Sequence, residues 1–318
     1  MRPCQGVVIF FFVVIAGTVS AQQKSFPVLK GPYFGQASPG VTPEVFAPGI
    51  ISTNAIEASL TFSYDGHFLV FRRGFRENTE IYLAEYKAGV WAEPARAPFF
   101  VKQYGFGDFT FSPNEPVLYF TTRRPLQEGQ DRAESANLWK VKYDNGEWLT
   151  PTPVGDAVNS PLHESYLSAS NDKTLFFFRR FDEENGLSDI MVSEFRNGDY
   201  SAPTKMGKEI NTQWDEWDPG IAPDESLLVF CSTKPSGYGR DDLYVSFRAK
   251  DGSWLNAINL GDEINSEGSE NRPFITADGK YLFYNKSSGE NRDVYWVDLG
   301  VVQKLRSETK KGQTKEGH

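Results

Sequence analysis

Four carboxylates and a histidine are spaced along the middle of this chain where general acid and base chemistry is possible. Glycoside hydrolysis uses two carboxyl groups, about 5–5.5 Å apart in retaining enzymes and about 6.5–9.5 Å apart in inverting enzymes. A serine triad would have to recruit the histidine, although no Gly-x-Ser-x-Gly turn accompanies it. The candidates are Asp108, Glu164, Glu216, Asp218 and His163. Paired in one pocket, the acids would predict a carbohydrate-active enzyme, either a glycoside hydrolase or a polysaccharide lyase.

A second set of side chains can bind a ligand without reacting with it. Aromatic rings can stack on a sugar or a peptide, while guanidinium and amide groups can donate hydrogen bonds. These candidates are Tyr166, Trp217, Asn271, Arg272, Arg73, Arg124 and Arg180. They favour the leading hypothesis, in which a protein or glycan ligand binds without catalysis.

The sequence has no pattern typical of a metal or cofactor site. Its three histidines, His67, His163 and His318, are not spaced as metal ligands. The acidic segment at 181–186 lacks the alternating ligands of a calcium loop. We therefore expect neither a metal nor a cofactor.

The glutamates belong to a repeat that organises most of the chain. A glutamate stands six residues before a small or hydroxyl residue that opens a turn, at Glu57, Glu164, Glu216 and Glu270, and Phe106 replaces it in a fifth copy. Intervals of 49, 58, 52 and 54 residues indicate an array of one structural unit. We expect the repeated glutamates to join neighbouring units by accepting hydrogen bonds, the alternative being a ring of carboxylates that binds a ligand. Site residues should instead differ between units.

Each unit reads as four short strands. An Asp-Gly-like turn leads into an apolar second strand, as at 68–71, 117–120, 175–178, 227–230 and 281–284. The third strand opens with an acid or amide, and the fourth ends in Asn-Ser or Asn-Thr, as at 159–160, 211–212 and 265–266. Five such units predict an all-β, five-bladed β-propeller with four-stranded antiparallel blades.

The two ends of the array predict how the ring closes. The last unit stops after its third strand, at 294–297, whereas 42–52 precedes the first unit and aligns with the fourth strand at 150–160, with Ser52 opposite Ser160. The N-terminal segment should therefore supply the outer strand of the last blade and remove an exposed sheet edge.

With its Glu-x-x-Pro, Asp-Gly, Asp-hydrophobic-Tyr and Gly-x-Trp elements, the repeat resembles the TolB-like, WD-related β-propeller family. The clearest copies run from Glu216 to Tyr244 and from Glu270 to Tyr295. The second unit departs most, because it lacks the glutamate and has Asn137 in place of the acid. The resemblance implies a propeller fold and a functionally broad family that includes periplasmic protein-binding propellers and domains attached to hydrolases.

The ends of the chain predict export and a flexible terminus. Residues 1–21 have the charged start, the apolar run and the small-residue cleavage site of a signal peptide, which favours a secreted or periplasmic protein. The apolar run is shorter than the roughly 20 residues of a membrane span, so we expect no membrane insertion. The remaining divisions are an N-terminal extension at 22–41, the propeller at 42–302 and a disordered polar tail at 303–318.

Composition narrows the choice of partners. A formal net charge of −9 argues against nucleic acid as a ligand. Cys231 lies in an apolar strand and has no second cysteine in the predicted mature chain, so we interpret it as a core thiol. We expect the protein to be a monomer. The long connection at 125–136 is a candidate contact loop.

Overall fold

A ring of five antiparallel sheets forms the structure, a computed structural model that describes residues 26–313 except 75–77, 106, 128, 182–186 and 289–290. The side chains of 288 and 307–313 are also not described. The predicted signal peptide and Phe106 lie outside the described residues. Within the described ranges, no helix is long and apolar enough to cross a membrane.

The strands follow the order of the sequence repeat. Two short strands precede the first blade: β1 (Leu29–Lys30) and β2 (Glu44–Val45). Blade 1 contains β3 (Glu57–Phe62), β4 (Phe68–Arg73), β5 (Glu80–Lys87), β6 (Val90–Trp91) and β7 (Ala95–Arg96). Blade 2 contains β8 (Phe109–Phe111), β9 (Val117–Thr122), β10 (Asn137–Asp144), β11 (Glu147–Trp148) and β12 (Thr152–Pro153).

The remaining three blades repeat the pattern. Blade 3 contains β13 (His163–Ala169), β14 (Leu175–Arg180), β15 (Ser188–Ser193), the ribbon β16 (Phe195–Arg196) and β17 (Asp199–Tyr200), and β18 (Thr204–Lys205). Blade 4 contains β19 (Glu216–Ile221), β20 (Leu227–Ser232), β21 (Asp242–Phe247) and β22 (Ile258–Asn259). Blade 5 contains β23 (Glu270–Ile275), β24 (Tyr281–Ser288) and β25 (Asn291–Asp298). Two 3-10 turns lie at Pro32–Gly35 and Lys102–Tyr104, and helix α1 spans Gly300–Gln313.

The inner strands line the centre of the ring. Contacts run from β3 to β8, β8 to β13, β13 to β19, β19 to β23, and β23 back to β3. The predicted five-bladed propeller is therefore confirmed.

The hydrophobic core lies between the faces of neighbouring blades. The second strands carry rings on both faces, so that Phe176 and Phe177 of the same strand enter different clusters. At the junction of blades 5 and 1, Phe46, Phe71 and Trp296 share one cluster and are almost completely buried. Burial on both faces explains why these strands read as continuous apolar runs.

An asparagine side chain fastens the end of each regular fourth strand. The amides of Asn159, Asn211 and Asn265 bond both the N–H and the C=O of one residue in the third strand. The third and fourth strands pair through their backbones over only two residues in each of these blades. The asparagine bonds extend the contact between the two strands beyond that pairing. This geometry accounts for the recurring Asn-Ser and Asn-Thr.

The N-terminal segment closes the ring as predicted. Strand β2 pairs with β25, with Glu44 opposite Trp296 and Val45 opposite Tyr295. Ser52 then bonds the N–H and C=O of Val294, in the role that asparagine has elsewhere. The sequence alignment was wrong by one residue at this end, since Thr53 rather than Ser52 corresponds to Ser160.

Helix α1 includes residues 303–313, which the sequence predicted to belong to a disordered tail at 303–318. Val302 is buried in the core cluster of blades 4 and 5, and Leu305 packs against that cluster. The Arg306 guanidinium lies 5.6 Å from the Phe247 ring and donates to the Arg248 carbonyl. These few apolar contacts stabilise a helix in an otherwise polar sequence, and 314–318 lie outside the described residues.

We predict that Phe46→Ala destabilises the protein by about 3–5 kcal/mol, because the ring bridges the first and last blades and leaves a cavity when removed. The measurement is the free energy of unfolding in urea. Val41→Ala in the same segment is the control, since Val41 is 63% exposed. Equal losses for the two variants would contradict closure by this segment.

Candidate functional site

Four buried glutamates tie each inner strand to the connection that arrives from the preceding blade. Each carboxylate accepts one bond from a backbone N–H and one from the hydroxyl of the same Ser or Thr, four residues earlier: Thr53, Ser160, Thr212 and Ser266. The N–H to carboxylate distances are 3.2 Å at Glu57, 3.3 Å at Glu164, 2.8 Å at Glu216 and 2.9 Å at Glu270.

A base at the end of the second strand completes this junction in three blades. Arg73 Nε lies 2.8 Å from Glu57, Arg179 Nε lies 2.8 Å from Glu164, and Lys286 Nζ lies 3.6 Å from Glu270. The same bases also donate to carbonyls of the preceding connection, at Ile50, Val158 and Ile264. In blade 4, the Ser232 hydroxyl takes this place at 3.0 Å from Glu216.

The junction glutamates are therefore engaged in structural bonds. Burial raises the pKa values of Glu164 and Glu216, and the bonds from Ser160 and Thr212 oppose this effect. Both side chains are completely buried. They were candidates for an acid and base pair, but each of their oxygens accepts at least one hydrogen bond from a neighbouring blade element.

Two residues after each glutamate, the inner strand forms a β-bulge. Ser59, Tyr166, Asp218 and Arg272 have φ values of 46°, 38°, 49° and 55°, and the pairing register shifts there. This left-handed backbone is uncommon for residues other than glycine, and a bulge re-aims the side chain. Asp108 holds the corresponding position in blade 2.

The bulge residues meet in the central channel and bond to one another. Arg272 Nε lies 2.8 Å from Asp108, which also accepts a bond from the Ser59 hydroxyl. The backbone N–H of Arg272 lies 3.3 Å from an Asp218 carboxylate oxygen. The Tyr166 hydroxyl lies 2.9 Å from the Pro273 carbonyl oxygen. Side-chain and backbone groups from all five blades thus form one polar network, which can hold the strained backbone in place.

The pKa values of the two channel aspartates are displaced in opposite directions. Burial alone would raise the pKa of Asp108, but Arg272 and Arg72 hold it well below its usual range. For Asp218, burial prevails over Arg272, and the nearby Asp108 adds to the effect, so its pKa rises to about 7. Burial and the neighbouring Arg272 lower the pKa of Arg72 to about 10.

A cavity of about 470 Å³ opens on this network. It brings together five predicted site residues: Asp108, Trp217, Asp218, Asn271 and Arg272. Tyr166 is not presented there, because its ring is 5% exposed and its hydroxyl is bonded. Cys231 is a buried free thiol behind Trp217, as expected of a core cysteine.

The other three predicted arginines do not line this cavity. Arg73 belongs to the Glu57 junction, and Arg124 lies over the rings of Tyr104 and Trp139, at 5.9 Å and 5.2 Å. Arg180 is exposed at the end of its strand. In β4, Arg73 is paired opposite Glu57, so alternation along the strand directs the adjacent Arg72 elsewhere.

A second cavity of about 720 Å³ lies beside the first, between blades 1, 2 and 3, and the two share Arg272. Its lining includes His163, Thr121 and four bases that the sequence candidates omitted: Arg72, Lys102, Arg123 and Arg132. Arg72 stands where the other second strands have Thr121, Phe178, Cys231 and Asn285, so comparison of the units could have found it. Arg132 comes from the long connection at 125–136.

No group of three or more His, Cys, Asp or Glu side chains that could hold a metal ion occurs in the part of the chain that the structure describes. The arrangement at the channel mouth instead offers guanidinium donors, one carboxyl with a lowered pKa and one with a raised pKa, and the indole of Trp217. Such groups can bind polar or anionic ligands by charge-assisted hydrogen bonds.

We predict that Glu164→Gln lowers the free energy of unfolding by about 3 kcal/mol, because the Arg179 side chain, 12% exposed, loses its charged partner. Urea denaturation measures the loss. Glu267→Gln is the control, since Glu267 is exposed. A loss no larger than that of the control would contradict the junction role.

Asp218→Asn should become more stable relative to the wild type as the pH rises. The raised pKa means that the folded state retains a proton that the unfolded state loses above about pH 4. This stabilisation is complete below the unfolded pKa and disappears as the pH reaches about 7. We expect the difference in unfolding free energy to change by roughly 2–4 kcal/mol between pH 4 and pH 8. A difference that stays constant over this pH range would contradict the raised pKa.

Comparison with known proteins extends the fold assignment. No protein-family model and no curated protein matches the chain. Among solved structures, a putative TolB from Agrobacterium tumefaciens is 15% identical, with a TM-score of 0.49 and 78% of each chain covered. TolB from Acinetobacter baumannii is 13% identical, with a TM-score of 0.46, 85% of this chain covered and 62% of that one. A thermostable family-43 glycoside hydrolase is 12% identical, with a TM-score of 0.51, 77% of this chain covered and 90% of that one. At 12% identity and a TM-score of 0.51, the likeness to the glycoside hydrolase concerns the fold alone.

Proposed function

We propose that the chain is an exported, non-catalytic β-propeller that binds a protein or glycan ligand at the channel mouth. The observation that carries this proposal is that three of the candidate acids are already bonded to groups within the protein. Glu164 and Glu216 are buried in blade junctions, and Asp108 is bonded to Arg272 and Ser59. The mouth nevertheless opens into two cavities with exposed polar groups at their rims.

Export is supported by the pattern of residues 1–21 and by the resemblance of the repeat to periplasmic propellers. The chain acts alone as a monomer in this proposal, because the ring is closed within one chain and the edge strand of the last blade is covered by β2. Trp217 provides the aromatic surface for the ligand, since its ring is half-buried and lines the smaller cavity.

A glycoside hydrolase or polysaccharide lyase is the second candidate. The observation in its favour is that Asp108 and Asp218 line one cavity with pKa values displaced in opposite directions, as in acid and base pairs. Two hydrogen bonds argue against this candidate. The Arg272 guanidinium donates to Asp108, and the backbone N–H of Arg272 donates to Asp218. A substrate would have to displace these internal partners.

Our prediction is binding without turnover. The purified mature chain should bind members of an oligosaccharide or peptide array, and Trp217→Ala should weaken that binding by about 10- to 100-fold through loss of stacking area. Tyr64→Ala is the matched control, because Tyr64 is 42% exposed in a turn at the opposite end of the inner strand.

Release of reducing ends or unsaturated sugars at pH 5–8 would overturn the non-catalytic proposal if Asp108→Asn or Asp218→Asn abolished it while the far-ultraviolet circular dichroism stayed unchanged. Equal weakening by Trp217→Ala and Tyr64→Ala would instead contradict the position of the binding face.

A further inference from the structure

The larger mouth cavity lies where blade 2 departs from the repeat. Phe106 replaces the junction glutamate in sequence, and Thr122 stands where blades 1 and 3 have Arg73 and Arg179. The Thr122 hydroxyl bonds the Gly105 carbonyl at 2.8 Å instead. A cavity of about 720 Å³ adjoins this junction, which lacks the glutamate and its base.

Positive charge dominates the lining. It contains five permanent cations, which are Arg72, Lys102, Arg123, Arg132 and Arg272, and no carboxylate among the described lining residues. The whole chain, in contrast, carries a formal net charge of −9. A local excess of one sign in a concave site attracts ligands of the opposite sign.

Several of these cations have unused hydrogen-bonding capacity. Arg123 and Arg132 are exposed, and their guanidinium groups have no carboxylate partner within the described residues. Arg72 Nε is buried without a hydrogen-bond partner in the same described set. The Arg72 guanidinium lies 3.8 Å from Asp108, which Arg272 already neutralises at 2.8 Å. An anion entering the cavity would therefore meet donors at its floor and at its rim.

The other lining groups suit a sugar ring. Phe100 and Tyr104 line the cavity and provide aromatic rings. Thr121, Thr122 and Ser165 also line it, but their hydroxyl groups are buried and bonded within the protein. At Gly107 a Cβ would come within 2.1 Å of Thr121 Oγ1, so the absence of a side chain there allows the cavity wall to form. Aromatic rings beside planar cations can hold a pyranose and its acidic substituent together.

We infer that this cavity binds an acidic sugar unit of a glycan, through its carboxylate or sulfate group. This inference rests on the proposed function and specifies the chemistry of its ligand. The volume of the cavity, about 720 Å³, lies within the roughly 300–1,000 Å³ typical of small-ligand pockets. An acidic peptide would more readily bind along an exposed sheet edge or an extended groove, where its backbone can pair.

The test is calorimetric titration of the mature protein with four probes: a galacturonate trimer, a chondroitin sulfate tetrasaccharide, neutral xylotriose and hexaglutamate. We expect at least one of the two acidic glycans to bind, with affinity falling as salt is raised, and xylotriose and hexaglutamate to bind at least tenfold more weakly. The two acidic glycans distinguish carboxylate from sulfate recognition.

The variant Arg123→Gln/Arg132→Gln should weaken acidic glycan binding by about tenfold or more, since two charge-assisted donors are lost. Both residues are exposed, so the fold should tolerate the change. Arg196→Gln, an exposed arginine on the outer ribbon of blade 3, is the control and should leave the affinity unchanged.

Three results would overturn the inference: equal affinity for xylotriose, tighter binding of hexaglutamate, or an unchanged affinity in the double variant. If neutral glycans bind, and Trp217→Ala but not the double variant abolishes that binding, the proposed function stands and this inference falls. Absence of binding to every probe and array member would overturn both.

Discussion

The buried bond between a junction glutamate and the Ser or Thr of the preceding blade is the interaction on which the rest of the structure depends. In a propeller the blades share little backbone pairing, so side chains must set how each inner strand approaches its neighbour. A carboxylate that accepts from a backbone N–H, a hydroxyl and a base fixes the start of the strand in three directions. Because the site is buried, these bonds are stronger than they would be in water.

Fixing the start of the strand also fixes the bulge that follows it. Two residues after each glutamate the backbone becomes left-handed, and the side chains of Ser59, Tyr166, Asp218 and Arg272 meet in the channel. The repeated residue thus has a structural role, whereas the residue beside it is free to differ in every blade. This division explains how a regular array carries an irregular polar site. Blade 2, which lacks the glutamate, contributes most of the described lining of the larger cavity.

Much of the fold could be predicted from the sequence because it depends on short-range patterns. The spacing of the glutamates, the Asp-Gly turns and the apolar second strands specified five blades, and the missing last strand specified closure by the N-terminal segment. The predicted register of that closing segment was wrong by one residue at Ser52. The segment has one more residue than blade 2 between its outer strand and the junction, and an alignment of similar residue types did not detect it. Helix α1 was missed because three apolar contacts at Val301, Val302 and Leu305 outweigh a polar composition.

The candidate site was predictable only in part. Comparison of the blades identified Asp108, Trp217, Asp218, Asn271 and Arg272, which the structure brings to one cavity. The choice between adjacent arginines depended on strand register, and the pairing of Glu57 with Arg73 could be known only from the structure. Arg72 was therefore not chosen as a candidate. Lys102, Arg123 and Arg132 of the second cavity were not among the candidates either. Burial of Tyr166 was likewise hidden, because it depends on the contact of its hydroxyl with the Pro273 carbonyl of a distant blade.

Hydrogen exchange with and without the galacturonate trimer tests the central claim most directly, because it shows where on the ring a ligand binds. Mass spectrometry should find slower exchange in peptides that contain Lys102, Arg123 and His163, all at the mouth between blades 1, 2 and 3. Peptides from the turns at the opposite face, such as 63–66 and 276–279, should be unchanged. Protection confined to that opposite face or to the outer ribbon of blade 3 would contradict the assignment of function to the channel mouth.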